Sequence, residues 1–522
     1  MGEAAKLFAG FWPYGDQQIH GCLHKKVGIG RLHGLVSTTT FIFLVSFLLI
    51  ATFLNWMQIP IIQGSPLTNM SLLPTRNTKK HYERVEVPLN CSKAALQGRK
   101  CPDNYPRVFE PEESSTETCP DYFRWIHHDL QQWKTTGITQ DMIERGKPSA
   151  HFRIVIVGGN VYVEKYSKPF QTRDLFTKWG ILQLLRLYPG KVPDLDLLFF
   201  SGDKTQIMKR DYHGPNATFP PPVFHYCGSE EALDIVFPDW TFWGWAEVKI
   251  MPWEDTLRAI KKGLKRLKWE EREPYAFWKG NPYVAEDRLD LMKCNLSDKY
   301  DWNVRLYHQN WSKATQEGFK GSKLEEQCHY RYKIYTEGAT WSVSEKYIMA
   351  CDSMTLMIKP EFHDFFSRSL VPMEHYWPIR RKDKCRGLKF AVEWGNSHSQ
   401  RAQAIGKAGS KFIQELLTMR NVYDYMFHLL NEYSKLLKFK PTVPPKARRI
   451  CVESLGCPHT DLKREFMEQS TVKSPSNKLP CELPPPFEPQ VIQASLENKE
   501  KMAKQVETWE TVYWNKLNDN KQ

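Results

Sequence analysis

Tyr275-Ala-Phe-Trp-Lys-Gly-Asn281 is a short apolar run that stops at a glycine. It reads as a buried strand delivering the chain into a turn. In open α/β sheets ligands bind just past the carboxyl ends of such strands. A glycine there lets backbone approach a phosphate, or opens a helix whose N-terminus takes an anion. Ordinary turn chemistry fits the glycine equally well. Six further runs share this pattern, namely Phe152-Arg-Ile-Val-Ile-Val157, Asp196-Leu-Leu-Phe-Phe200, Val223-Phe-His-Tyr226, Tyr332-Lys-Ile-Tyr335, Ser353-Met-Thr-Leu-Met-Ile358 and His375-Tyr-Trp-Pro-Ile379. Val161-Tyr-Val163 pairs with the first of them across the hairpin turn Gly158-Gly-Asn160. Helical patterns cover 119–130, 174–187, 254–266, 344–351, 361–367, 400–417, 422–437 and 495–517. Strands alternating with helices predict an α/β fold with parallel sheets, in two Rossmann-like sets that meet near residue 265.

A chain of 522 residues exceeds one hydrophobic core, so two folded domains with extensions are expected. Net charge is +13, and the densest basic run is Lys261-Lys-Gly-Leu-Lys-Arg-Leu-Lys268. That run continues an amphipathic helix whose apolar positions are Leu257, Ile260, Leu264 and Leu267, so a solvated helix face explains it. No nucleic-acid motif accompanies it, and no nucleic-acid partner is expected. Residues 36–57 are apolar and follow Lys25, Lys26 and Arg31, which predicts a single transmembrane signal-anchor with residues 1–35 cytosolic. Residues 58–118 read as a stem in the lumen. Five Asn-x-Ser/Thr sequons, at Asn69, Asn90, Asn216, Asn295 and Asn310, all lie beyond the anchor. So do eleven of the twelve cysteines, and disulfides are expected with at least one cysteine unpaired. Cys294–Cys328 is the expected single pair, and Cys91, Cys101 and Cys119 a local cluster. The remaining boundaries are 119–265 for the first domain, 266–420 for the second, 421–445 for a crossover helix and 446–522 for a peripheral extension.

Phe199-Phe-Ser-Gly-Asp203 ends a strand with a carboxylate two residues into a turn, at a cleft rim; taken alone, it reads more readily as a turn aspartate that caps the next helix or is solvated. Asp194-Leu-Asp196 imitates a metal-binding Asp-x-Asp but is too short to be specific, and a structural role is expected. Trp240-Thr-Phe-Trp-Gly244 sets aromatics beside a flexible glycine, as core or as a wall for sugar or peptide. Arg288, past Gly280, can pair with a diphosphate bidentately.

With Glu337-Gly-Ala-Thr-Trp-Ser-Val-Ser-Glu-Lys346 and Ser369-Leu-Val-Pro-Met-Glu-His-Tyr-Trp-Pro-Ile379, these segments in this order resemble glycosyltransferase family 90, the Rumi-like and capsule-associated group, in its plant branch. The resemblance spans roughly 119–437. It implies a GT-B fold, a UDP-sugar donor, inversion at the anomeric carbon and no cofactor or required metal. By position it makes Asp203 a partly buried catalytic base. It makes Trp240, Thr241, Phe242, Trp243 and Gly244 an acceptor or sugar wall. Gly280, Asn281 and Arg288 become contacts to UDP, and Thr340, Trp341, Ser342, Ser344 and Lys346 a second donor loop. Animal members carry arginine where this chain has Ser344, so the charge facing the diphosphate must come from Arg288, Lys346 or elsewhere. The resemblance implies transfer of glucose or xylose from UDP-glucose or UDP-xylose to a protein or glycan hydroxyl. The address expected is the Golgi membrane, with the endoplasmic reticulum as alternative. A non-catalytic luminal protein that binds carbohydrate or UDP on the same fold is the competing expectation.

Overall fold

The computed structural model describes residues 117–214 and 218–520, together with Leu89, Cys91 and Cys101. The tail, the anchor at 36–57, nearly all of the stem, Asn69, Asn90 and Asn216 lie outside the described residues. Among the described residues no helix is long and apolar enough to cross a membrane.

The run 152–157 forms strand β1 (Phe152–Val157), and the glycine hairpin returns it as β2 (Asn160–Lys165). Gly158 and Gly159 take φ of 55° and 74°, the left-handed backbone that a two-residue hairpin needs. Such a short connection can only give antiparallel neighbours, so the first sheet is mixed where a parallel one was expected. Its order is β13 (Arg448–Ile450), β2, β1, β3 (Leu195–Phe199), β4 (Val223–His225), β6 (Ile235–Val236). β1 is antiparallel to β2 and β3, whereas β3, β4 and β6 run parallel. The helix Arg173–Leu187 is buried on nearly all sides rather than amphipathic. Gly180 admits the Trp243 indole so closely that a Cβ would stand 2.3 Å from it.

The opening run lies at the centre of a second sheet, ordered β12 (Trp377–Ile379), β10 (Met354–Ile358), β9 (Tyr330–Tyr335), β7 (Glu273–Gly280), β8 (Val304–His308). All of its pairs are parallel, as the strand–helix alternation predicts. Side chains alternate between faces along each strand. Ala276, Trp278, Tyr332, Ile334 and Leu356 pack with residues of the helices Lys384–Ser397 and Ser399–Lys411 in one core. Tyr335 and Met357 join the core of the first sheet, and Phe277 and Lys333 share their side of the sheet. The charged helix expected at 254–266 is Trp253–Leu264, with Leu257 and Ile260 buried. The helix Met419–Ser434 returns the chain to the first sheet, where Tyr433 donates to the Asp196 carbonyl and Tyr423 accepts from Trp243.

Three local expectations fail. Residues 361–367 are not a helix. The Glu337 carboxylate takes the amide N–H groups of Glu361 and Phe362, and β11 (Phe362–His363) pairs antiparallel with β5 (Gly228–Ser229). Only a 3-10 turn at Ser367–Ser369 remains helical there. The 119–130 segment is broken into a 3-10 turn, Asp121–Arg124, and a short helix, Trp125–Asp129. The C-terminal extension is not peripheral: it supplies the edge strand β13 and the helix Pro489–Asp519, which buries Val506 and Tyr513 and pairs Glu510 with Arg380 at 2.7 Å.

The disulfides explain that last correction. Cys91 pairs with Cys457, Cys101 with Cys451 and Cys119 with Cys481, so the early cysteines are not a local cluster. Cys294 pairs with Cys385 and Cys328 with Cys351, which overturns Cys294–Cys328. Cys294 follows the helix Glu286–Met292 and faces a helix 91 residues later, a contact no sequence spacing encodes. Cys227 is free and buried. Non-reducing peptide mapping of the protein is expected to recover these five linkages, with Cys227 as an alkylated thiol; a Cys91–Cys101 or Cys294–Cys328 peptide would contradict this arrangement.

Candidate active site

The carboxyl ends of β3, β7 and β9 open on one cavity of about 460 Å³. Among its lining residues are Asp203, Arg173, Trp240, Arg288, Trp341 and Ser342. Gly280, Asn281 and Ser344 also reach it. Thr340 and Lys346 do not line it, nor do Thr241, Phe242, Trp243 and Gly244.

The Asp203 side chain is 52% exposed. Its Oδ1 accepts from Arg173 Nη1 at 2.8 Å. Arg173 is itself buried, with its guanidinium 4.4 Å from the Trp240 ring centroid and its Nε without a partner. Stacking on an indole fixes the plane of the guanidinium and so the position of the carboxylate it holds. The turn behind Asp203 is held from below, where His225 Nε2 lies 3.1 Å from the Gly202 carbonyl. Thr340 donates to the Asp203 carbonyl at 2.6 Å, so this residue is a strut between the two halves rather than a donor contact.

Across the cavity Arg288 makes a different kind of arrangement. Nε donates to the Glu337 carbonyl at 2.8 Å, Nη1 to the Asn281 carbonyl at 3.2 Å, and Nη2 to Ser342 Oγ at 3.2 Å. Among the described residues no carboxylate pairs with it. Burial consequently lowers its pKa to about 10. A half-buried cation held only by neutral oxygens, on the wall of a cavity, is a receptor for an anion. Ser342 Oγ lies 2.8 Å from Ser344 Oγ, which puts two hydroxyls beside the guanidinium. Asn281 accepts the Tyr283 amide and so caps a turn, while its carbonyl steers Arg288. Gly280 is required because the Trp278 indole folds back on it: a Cβ would stand 2.5 Å away.

Lys346 is not a donor contact. It is 2% exposed in its side chain and spends its three protons on Asp239 Oδ2 at 3.0 Å, Thr241 Oγ1 at 2.7 Å and the Val343 carbonyl at 3.4 Å. Most of the expected wall is core as well. Trp243 donates to Tyr423, Phe242 lies under Lys346, and Gly244 takes φ 120° against the Phe466 ring. Only Trp240 of that segment faces the cavity, beside Trp341 at 6.3 Å between centroids. The indole N–H groups of both are buried without partners, two donors for a hydroxylated ligand. Asp194 accepts the Gly158 amide, and Asp196 is locked to Arg153 at 2.5 Å, so both carboxylates hold the fold together. Asn310 is exposed and caps the helix Trp311–Gln316. Asn295 is half-buried, with its side-chain amide bonded to Leu306. Sequence reading missed Arg173, Asp239 and Lys333. A lysine inside the short run Tyr332-Lys-Ile-Tyr335 was the signal available for the last.

Replacing Lys346 with Met is expected to cost about 3 kcal/mol of folding stability by leaving the Asp239 charge buried and unpaired. Denaturant unfolding of the two forms measures this; equal midpoints would remove the pair from its structural role.

The profile of glycosyl transferase family 90 matches residues 114–510. An "O-glucosyltransferase rumi homolog" of Anopheles gambiae is 29% identical over 322 residues, 60% of this chain and 77% of the relative. The Drosophila melanogaster "O-glucosyltransferase rumi" is 26% identical over 362 residues, 65% and 82% of the two chains. Human "Protein O-glucosyltransferase 1" is 25% identical over 345 residues, 63% and 84%. With its family match running from just before Cys119 into the C-terminal helix, and its acid, its guanidinium without a carboxylate partner and its aromatics on one cavity, the chain belongs to glycosyl transferase family 90.

Proposed function

We propose that this protein is an inverting O-glycosyltransferase that moves glucose or xylose from a UDP-sugar to a hydroxyl of a protein or glycan. The observation that carries the reading is the opposition, across one cavity, of an ion-paired carboxylate and a guanidinium with no counter-ion. Asp203 accepts the proton of the acceptor hydroxyl as its oxygen attacks the anomeric carbon. The bond from that carbon to the β-phosphate oxygen breaks, and UDP leaves with the bonding pair. Arg288, with the Ser342 and Ser344 hydroxyls, receives the charge that grows on the diphosphate. Arg173 positions the base. Trp240 and Trp341 wall the sugar and offer their N–H groups to its hydroxyls. The reading requires no metal, because the charge of the leaving group is assigned to Arg288 and the Asp-Leu-Asp carboxylates are committed to Arg153 and Gly158. Two half-domains closing over the donor is the GT-B plan, and the two sheets on either side of the cavity support it.

Ten cysteines in disulfides support an oxidising compartment. We place the catalytic region in the lumen of the Golgi, held by an anchor at 36–57, with the endoplasmic reticulum as the other address.

Asp203→Asn is expected to lower UDP-sugar turnover by about 10²- to 10⁴-fold while leaving UDP affinity within a factor of two or so. Turnover that survives the change would dismiss Asp203 as the base. Tight UDP binding by the wild type without turnover on any donor and acceptor would favour a binding protein. Arg288→Ala is expected to weaken UDP by about 100-fold in calorimetry, the loss of a charge-assisted contact to phosphate. Unchanged affinity would sink its assignment.

A further inference from the structure

Lys333 lies in the middle of β9, paired to Phe277 of β7 on one side and Thr355 of β10 on the other. It is 3% exposed, yet it lines the same cavity as Asp203 and Arg288. Among the described residues its ammonium has one hydrogen-bond partner, Cys351 Sγ at 3.5 Å, a sulfur already bound in the disulfide to Cys328. A disulfide sulfur is a poor acceptor for a cation. The Phe277 ring, 5.8 Å away, offers only the weak attraction of an aromatic face. The charged strand positions near it, Arg331, Lys279 and Arg305, are cations and supply no counter-charge, and the acidic residues Glu345 and Glu326 of neighbouring elements are engaged with Tyr335 and Lys323. Burial alone therefore lowers the pKa of Lys333 to about 7. Maintaining a lysine under these conditions destabilises the empty protein, because a buried amine without a partner is costly in either protonation state. Two other cations of the region are already satisfied. Lys346 is locked to Asp239, and Arg173 to Asp203. Ser344 brings no charge to the donor loop; of the remaining cations on the cavity wall, Lys279 donates to the Gly321 carbonyl, whereas Lys333 has no oxygen partner among the described residues.

We propose that Lys333 is a second cation of the site, a subsite that receives an anionic oxygen of the donor, from the diphosphate or from a carboxylate on its sugar. This rests on the reading of the cavity as a nucleotide-sugar site. The incoming anion supplies the counter-charge that the folded protein lacks and restores the full charge of the ammonium. The contact is to an anion, so uridine, which has none, should not sense it.

The test is calorimetric titration of the wild type and of Lys333→Met with uridine, UDP, UDP-glucose and UDP-glucuronate, alongside thermal unfolding of both proteins. Methionine keeps the length of the side chain and removes the amine, so the variant should unfold no earlier than the wild type. Affinity for UDP should fall by about ten-fold or more while that for uridine stays the same. A loss with UDP and UDP-glucose alike assigns the phosphate as the source of the anion. A loss confined to UDP-glucuronate assigns the sugar carboxylate. Equal affinity of both proteins for all four ligands overturns the proposal, as does a parallel loss for uridine and UDP. Failure of the wild type to bind any uridine nucleotide overturns the donor-site reading and this proposal with it. Lys333→Gln, which retains a polar head, serves if the methionine variant does not fold, with the same outcomes deciding.

Discussion

The ion pair of Lys346 with Asp239 sets the geometry on which the site depends. Asp239 caps the 3-10 turn Trp240–Phe242 of the first half, and Lys346 stands on the helix Glu345–Met349 of the second. Removing two charges from water costs several kcal/mol, which the pair recovers only if its remaining hydrogen-bonding capacity is filled. Here it is filled: three ammonium protons meet three oxygens, and Asp239 Oδ1 takes both the amide and the hydroxyl of Thr241. Such a closed network tolerates one relative placement of the two segments. Trp240 is thereby fixed next to the loop that holds Trp341 and Ser342, and the Thr340–Asp203 bond ties the same loop to the base.

That arrangement divides the basic side chains near the cavity into two kinds. Lys346 and Arg173 have carboxylate partners and serve as framework. Among the described residues Arg288, Lys279 and Lys333 have none, and burial depresses the pKa of Arg288 and Lys333. Counter-ion status, which is visible only in three dimensions, is what separates a framework cation from one available to an anionic ligand. It also explains why an overall charge of +13 said little about function: the basic side chains in the dense run at 261–268 are exposed on a helix end.

Much of the fold was legible in the sequence because its strands are apolar runs with clear ends. Residues 152–157 and 332–335 fall within two residues of the observed strands at each end, and 275–278 grows to Glu273–Gly280. The site was partly legible. Asp203 and Ser342 could be placed because each sits just past a strand or in a loop between predicted elements, and Arg288 because its helix follows the strand that ends at Gly280. Lys346 misleads because a lysine in a serine-rich loop looks the same whether it faces phosphate or a buried aspartate more than a hundred residues earlier. The tryptophan segment at 240–244 misleads for a related reason: consecutive side chains point in different directions on a 3-10 turn, and one of them reaches the cavity. Disulfide partners 350 to 366 residues apart leave no trace in local spacing.

Those long crosslinks also order events during synthesis. Ribosomal synthesis delivers Cys91, Cys101 and Cys119 350 to 366 residues ahead of their partners at 457, 451 and 481. For most of the time the chain is emerging, three thiols wait without their native mates while Cys227, Cys294, Cys328 and Cys351 pass by. The edge strand β13 arrives in the same late segment, so the first sheet too is left with an open border until then. The fold therefore closes only once the segment carrying Arg448–Ile450 and its cysteines has been made, and that segment, far from the cavity along the chain, acts as the clasp.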